Sequence, residues 1–149
     1  MPKEKVLFVC IHNSARSQMA EAWANHFCGN NFEVQSAGLE PGVLNPLVID
    51  VMKEVGIDIS GKKTQGVFEL FKKGETFDYV IAVCDGASAE KCPIFPGKSQ
   101  RLHWSFPDPS KAIGSKEEKL VQIRLVREAI KTKIEDWCHS ICKLKSEMS

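Results

Sequence analysis

Val6-Leu7-Phe8-Val9-Cys10-Ile11-His12-Asn13-Ser14-Ala15-Arg16-Ser17 is the stretch on which the reading of the fold turns. Its first four residues are apolar without a break, the pattern of a strand buried on both faces, and they predict a strand over 5–9. Past Arg16 the period changes. Met19, Ala20, Trp23, Ala24 and Phe27 form the stripe of an amphipathic helix over 17–28, ended near Gly29. The loop between them begins with Cys10 and closes on Arg16-Ser17. A loop turning into a helix aims successive backbone N–H groups and the positive helix end at one point, a cradle for a tetrahedral oxyanion built from Ile11, His12, Asn13, Ser14, Ala15, Arg16 and Ser17. Arg16 adds a two-pronged donor, and the same field favours a thiolate at Cys10 with Ser17 placed to hydrogen-bond it. His12 reads as the residue that tolerates a special backbone conformation, and Asn13 as a support acting through its amide. Spacing alone is weak, because a Cys-x5-Arg match arises by chance in roughly one such chain in six.

Working outward, the pattern gives a strand over 32–37 and a helix over 45–55, with Pro46 at its start and Gly56 after its end. Residues 57–63 read as loop, 64–73 as a short helix closed by Gly74, and 78–83 as a near-continuous apolar strand running into Cys84. A long loop over 85–97 carries Cys92, a strand follows over 101–104, and then comes a second loop with Phe106-Pro107-Asp108-Pro109. Leu120, Ile123, Val126, Ile130, Ile134, Trp137, Ile141 and Leu144 recur at steps of three and four, marking one long terminal helix with Cys138 beside the stripe. Alternating strands and helices predict an α/β fold, a three-layer sandwich about a central four-stranded parallel sheet, as a single domain over 1–149. Such sheets bind ligands at the carboxyl ends of their strands, where Cys10, Cys84 and the loop after Trp104 all fall. Asp108 in that loop is a candidate general acid, set against the plain turn chemistry of an Asp before Pro.

Composition closes off other classes. The 149 residues are 43% hydrophobic and 26% charged, ordinary for one folded unit, so disorder and coiled-coil readings drop out. A net charge of +1 lacks the long-range field that gathers nucleic acid or anionic lipid. The early apolar run is too short for a secretory core or a membrane span, so the expected location is the cytoplasm, with thiols kept reduced. Cys28, Cys138 and Cys142 then read as small packed hydrophobes; the last two share a helix face and are taken as structural. The cysteine spacings, Cys84-x7-Cys92 and Cys138-x3-Cys142, do not suit zinc, and no metal site is expected.

Residues 9–23 with Ser36-Ala37-Gly38 resemble the low-molecular-weight phosphatase superfamily. Within it, Asn45-Pro46, Gly56-Ile57-Asp58-Ile59-Ser60, Cys84-x7-Cys92-Pro93 and His103-Trp104-Ser105-Phe106-Pro107-Asp108-Pro109 are similar to the thioredoxin-coupled arsenate reductases. The resemblance implies the phosphatase-like fold and a catalytic set of Cys10, Arg16, Cys84, Cys92 and Asp108. It implies that Cys10 attacks arsenate, that Asp108 protonates the departing oxygen, and that Cys84 and then Cys92 pass on the resulting disulfide to thioredoxin. The expected partners are arsenate and thioredoxin, with neither nucleic acid nor membrane, the chain being a monomer without a cofactor. In many members an Asp after the Thr of the third helix helps hold potassium with the equivalents of Asn13 and Ser36; here Gln65 and Gly66 follow Thr64, a departure from that pattern. The rival reading is a phosphatase hydrolysing phosphate monoesters through a Cys10 phosphocysteine. Phosphotyrosine enzymes of this kind tend to carry aromatics after Asp-Pro, where this chain has Ser110 and Lys111. A non-catalytic oxyanion or redox module is the third reading, disfavoured because binding alone needs no nucleophile.

Overall fold

Four parallel strands form the sheet in the computed structural model, which describes residues 3–148, the side chains of 87 and 144–148 excepted. They are β1 (Glu4–Cys10), β2 (Phe32–Gly38), β3 (Tyr79–Ala82) and β4 (Gln100–His103), in the order β2-β1-β3-β4. The chain steps from β1 to β2 on one side and then crosses to β3 on the other. The strand order therefore reverses at β1, and the crevice at its carboxyl end is the place where such sheets take ligands. Val6 pairs with Val34 and Tyr79, and Val9 with Ala37 and Ala82, so β1 is covered on both edges. Its faces alternate. Val6 and Phe8 pack with α1 (Arg16–Cys28), α2 (Pro46–Lys53) and α5 (Lys116–Met148), while Leu7 and Val9 pack against α3 (Val67–Lys72), Phe77 and Phe95. Unbroken apolarity in the sequence is thus two half-cores back to back. β4 is an edge strand, short and charged at Arg101, which discourages pairing with another chain.

Asn45 caps α2 by accepting from the Leu47 N–H at 2.9 Å, with Pro46 at the first helical position. α3 begins three residues later than the sequence suggests. Residues 64–66 are held extended by backbone bonds, the Gly38 N–H to the Gln65 carbonyl at 2.9 Å among them. The loop over 85–97 is not wholly irregular: Gly86–Ala89 makes one helical turn, α4, capped by the Asp85 carboxylate on the Ser88 N–H. A 3-10 turn over Pro109–Lys111 likewise follows Asp108. In α5 the buried line runs Leu120, Ile123, Val126, Ile130, Ile134 and Cys138, so Cys138 lies in the stripe itself; the side chain of Leu144 is outside the described residues. Two thiols expected to be free are joined, because the buried faces of α1 and α5 meet there: Cys28 and Cys138 form a disulfide between Cα atoms 6.0 Å apart.

Ile130 is fully buried between α5 and the body. Ile130→Ala is expected to lower unfolding free energy by about 2–5 kcal/mol, read from the urea midpoint, since a buried methyl-rich side chain leaves a cavity that relaxes only in part.

Candidate functional site

Cys10 is the last residue of β1 and Arg16 the first of α1, so strand and helix fix both ends of the loop. Residues 39–45 run alongside it. Leu39, Glu40, Gly42 and Asn45 donate their N–H groups to the carbonyls of Cys10, Ile11, His12 and Ser14 at 2.7–3.0 Å. The loop's acceptors are spent on that outer segment and its own donors are left for an anion. A Cβ at Gly38 would lie 2.7 Å from the Asn13 nitrogen, so only glycine lets β2 approach so closely.

Asn13, not His12, takes the special backbone conformation, with φ at 55°. Its N–H reaches the Cys10 sulfur at 3.2 Å, a contact that the left-handed turn makes possible. His12 instead sets Nδ1 2.9 Å from the Glu40 carbonyl on the exposed side. The Asn13 amide donates both to Ser17 Oγ at 2.8 Å and to Ser36 Oγ at 2.9 Å. Since an amide NH2 only donates, each hydroxyl keeps its proton to pass on. Ser17 gives its proton to Cys10 Sγ, 2.9 Å away, and Ser36 gives its own to Glu21 Oε1 at 3.3 Å. Lys62 closes this chain of bonds with its ammonium 2.7 Å from Glu21 Oε2. Gln65, which follows Thr64, donates its side-chain amide to the Ser36 carbonyl at 2.8 Å and its N–H to Asn13 Oδ1 at 3.0 Å. Glu21, Lys62 and Gln65 support the loop without having been singled out in the sequence; a carboxylate one helical turn past Ser17 was the available signal.

Arg16 is almost wholly buried, with Nη1 on the Phe106 carbonyl at 3.2 Å and Nη2 3.7 Å from Asp108 Oδ2. Asp108 is both a turn residue and a site residue. Its Oδ1 accepts from the Ser110 N–H and hydroxyl at 2.9 and 2.7 Å, which aims Oδ2 at Arg16. Burial works to raise its carboxyl, but the two Ser110 bonds, Arg16 and Lys111 outweigh that and hold it below its ordinary 3.8. The resting group is a carboxylate.

Cys84 follows β3 and packs in the same core cluster as Cys10. Its carbonyl is pinned by His103 Nε2 at 2.6 Å and by the Ser105 hydroxyl at 3.4 Å. Burial, reinforced by the Cys10 charge, pushes its thiol up from 9.0 to about 11. The folded value lies above the unfolded one, so this contribution to stability is whole below about pH 9 and lost as pH rises through about 11. The urea midpoint is expected to fall across that window, and to fall less in Cys84→Ser.

Cys92 is not beside them. It packs on the opposite side of the sheet with Val80, Phe77 and Phe95, and borders a cavity of about 470 Å³ between α4 and β4. Burial raises its thiol too, with Arg101 pulling the other way. Cys10, Cys84 and Cys92 are all free thiols. The structure thus brings Cys10, Arg16, Ser17, Cys84 and Asp108 together and leaves Cys92 apart from them.

The family model of low molecular weight phosphotyrosine protein phosphatases matches residues 5–147. An arsenate reductase of Halalkalibacterium halodurans is 40% identical over 94% of this chain and 99% of its own length. A solved structure described as an arsenate reductase in oxidized state superposes with a TM-score of 0.75 at 33% identity, over 93% of this chain and 98% of that one. The thioredoxin-dependent arsenate reductase of Corynebacterium glutamicum is 30% identical with a TM-score of 0.58, over 90% of this chain and 63% of that one. Among the described residues no helix is long and apolar enough to cross a membrane. The chain is an enzyme of the low molecular weight phosphotyrosine protein phosphatase family, on its arsenate reductase branch.

Proposed function

We propose that this single-domain enzyme reduces arsenate to arsenite through Cys10, Cys84 and Cys92, with thioredoxin as its reductant. The observation that carries the reading is Cys84, a second buried thiol set in the same cluster as the nucleophile, which phosphate ester hydrolysis does not need. Arsenate sits on the loop N–H groups and Arg16. Its arrival engages the Arg16 charge and places negative oxygens near Asp108, so the carboxylate takes up a proton that it returns to the departing oxygen. Cys10 attacks arsenic, water leaves, and a Cys10–arsenic bond remains. Cys84 then attacks the Cys10 sulfur; the electron pair of the sulfur–arsenic bond goes to arsenic, which departs as arsenite carrying the thiol proton on oxygen. Cys92 attacks Cys84, freeing Cys10, and a dithiol protein reduces the Cys84–Cys92 bridge.

The test is arsenate-dependent NADPH oxidation with thioredoxin and thioredoxin reductase, followed by disulfide mapping after one turnover without reductant. Turnover with a Cys84–Cys92 bridge is expected. No turnover, with p-nitrophenyl phosphate still hydrolysed, would make the chain a phosphatase and Cys84 and Cys92 packing residues.

A further inference from the structure

Three cysteines lie outside that relay. Cys28 ends α1 at the opposite end from Arg16, about 18 Å away at 1.5 Å per residue. Its disulfide with Cys138 is closed to solvent, each residue being only 4% exposed. Cys142 is a free thiol one turn further along α5, on the same helix face as Cys138 and half-buried at the rim. Cys138 and Cys142 share a cavity of about 270 Å³ with Phe27, Glu135 and His139. Asn31, in the turn that follows Cys28, donates its side-chain amide to the Cys142 sulfur at 2.8 Å. That bond ties the Cys142 sulfur to the segment carrying the other half of the disulfide.

We infer that Cys28, Cys138 and Cys142 form a second thiol–disulfide exchange site, in which Cys142 is the port through which an external dithiol opens the buried bridge between α1 and α5. A thiolate must reach a disulfide sulfur in line, and the burial of Cys28 and Cys138 favours a thiol already in the adjoining cavity over a bulkier outside reagent. Cys142 already borders the cavity that Cys138 lines. It loses its proton to water, bonds to Cys138 Sγ, and displaces Cys28 Sγ, which leaves with the bonding pair and is protonated. No net oxidation occurs. The new Cys138–Cys142 bridge spans one helical turn, where Cα atoms about 6 Å apart fall within disulfide range and Cβ atoms about 5–6 Å apart close up by local unwinding of α5. It lies nearer the rim, and a dithiol supplies the two electrons and two protons that reduce it. Asn31 places a donor on the attacking sulfur at rest, which suits a group that carries charge in the step. The consequence is a tie between the anion-loop helix and the terminal helix that can be released without using Cys10.

Wild type, Cys142→Ser and Asn31→Ala are prepared without reductant, treated with limiting dithiothreitol, acid-quenched, alkylated and mapped by mass spectrometry. The starting wild type is expected to hold the Cys28–Cys138 bridge, and the time course to show a transient Cys138–Cys142 bridge with Cys28 alkylated. Opening is expected to slow about tenfold or more in Cys142→Ser and by a smaller factor in Asn31→Ala. Opening at the wild-type rate in Cys142→Ser, or free Cys28 and Cys138 at time zero, would overturn the site. Should the serine variant fail to fold, an unchanged rate in Asn31→Ala together with no transient bridge in wild type would do the same.

Discussion

Cys10→Ser is expected to abolish arsenate reduction and any hydrolysis of p-nitrophenyl phosphate, a loss of at least about 10⁴-fold in rate. The size follows from what the loop is built to do. Ser17 and the Asn13 N–H both converge on this one sulfur, at 2.9 and 3.2 Å, which orients the attacking atom. A serine hydroxyl in its place has no neighbouring base to take its proton, since Ser17 is itself a donor and Asp108 is turned to Arg16. The cradle survives the change, because its N–H groups and Arg16 are untouched. Arsenate or phosphate should therefore still raise the thermal midpoint of the serine variant, which separates lost chemistry from lost folding. Residual reduction in a variant that binds oxyanion normally would reject Cys10 as the nucleophile.

Cys92→Ser should behave differently: one arsenite per enzyme and then a stop. The steps up to arsenite release involve only Cys10 and Cys84, and Cys84 lies within the electrostatic reach of Cys10 and Arg16, so the initial turnover proceeds. The enzyme then holds a Cys10–Cys84 disulfide buried in the site, without the thiol that would move the oxidation to the surface. Steady turnover with thioredoxin is expected to drop by at least about 10²-fold, while the single-turnover yield stays at one. Rapid-quench arsenite counts and peptide mapping of the stalled species measure both. Normal cycling in Cys92→Ser would remove the third thiol from the mechanism.

The legible parts of this chain were those fixed by local pattern. An unbroken apolar run, a cysteine, and a change of period to a helical stripe placed β1, the loop and α1, and the same logic placed Cys84 at the end of β3. Asp108 was found because Asp-Pro stands out in a loop at the same sheet edge. What escaped depended on which distant segments meet. The disulfide joins residues 110 apart, through two helix faces whose contact no spacing announces. The left-handed turn went to Asn13 rather than His12 because the Asn13 side chain is wanted inward, between Ser17 and Ser36. α3 started late because residues 64–66 are spent on bonds to the loop and to Gly38. The side of the sheet taken by Cys92 was set by the path of 85–97, including a helical turn too short to leave a periodic trace.

Cys92 rests across the sheet from Cys84, and that separation guards the pair against stray oxidants. Two thiols resting side by side would close on each other whenever a peroxide arrived, and each such event would drain reducing power with no arsenic processed. Here both are buried, both are held protonated by that burial, and each packs in a different half of the core. In the proposed relay the third thiol acquires a partner only once Cys84 has been oxidised on Cys10. The sheet acts as insulation, and the oxyanion is the key that permits the current to flow.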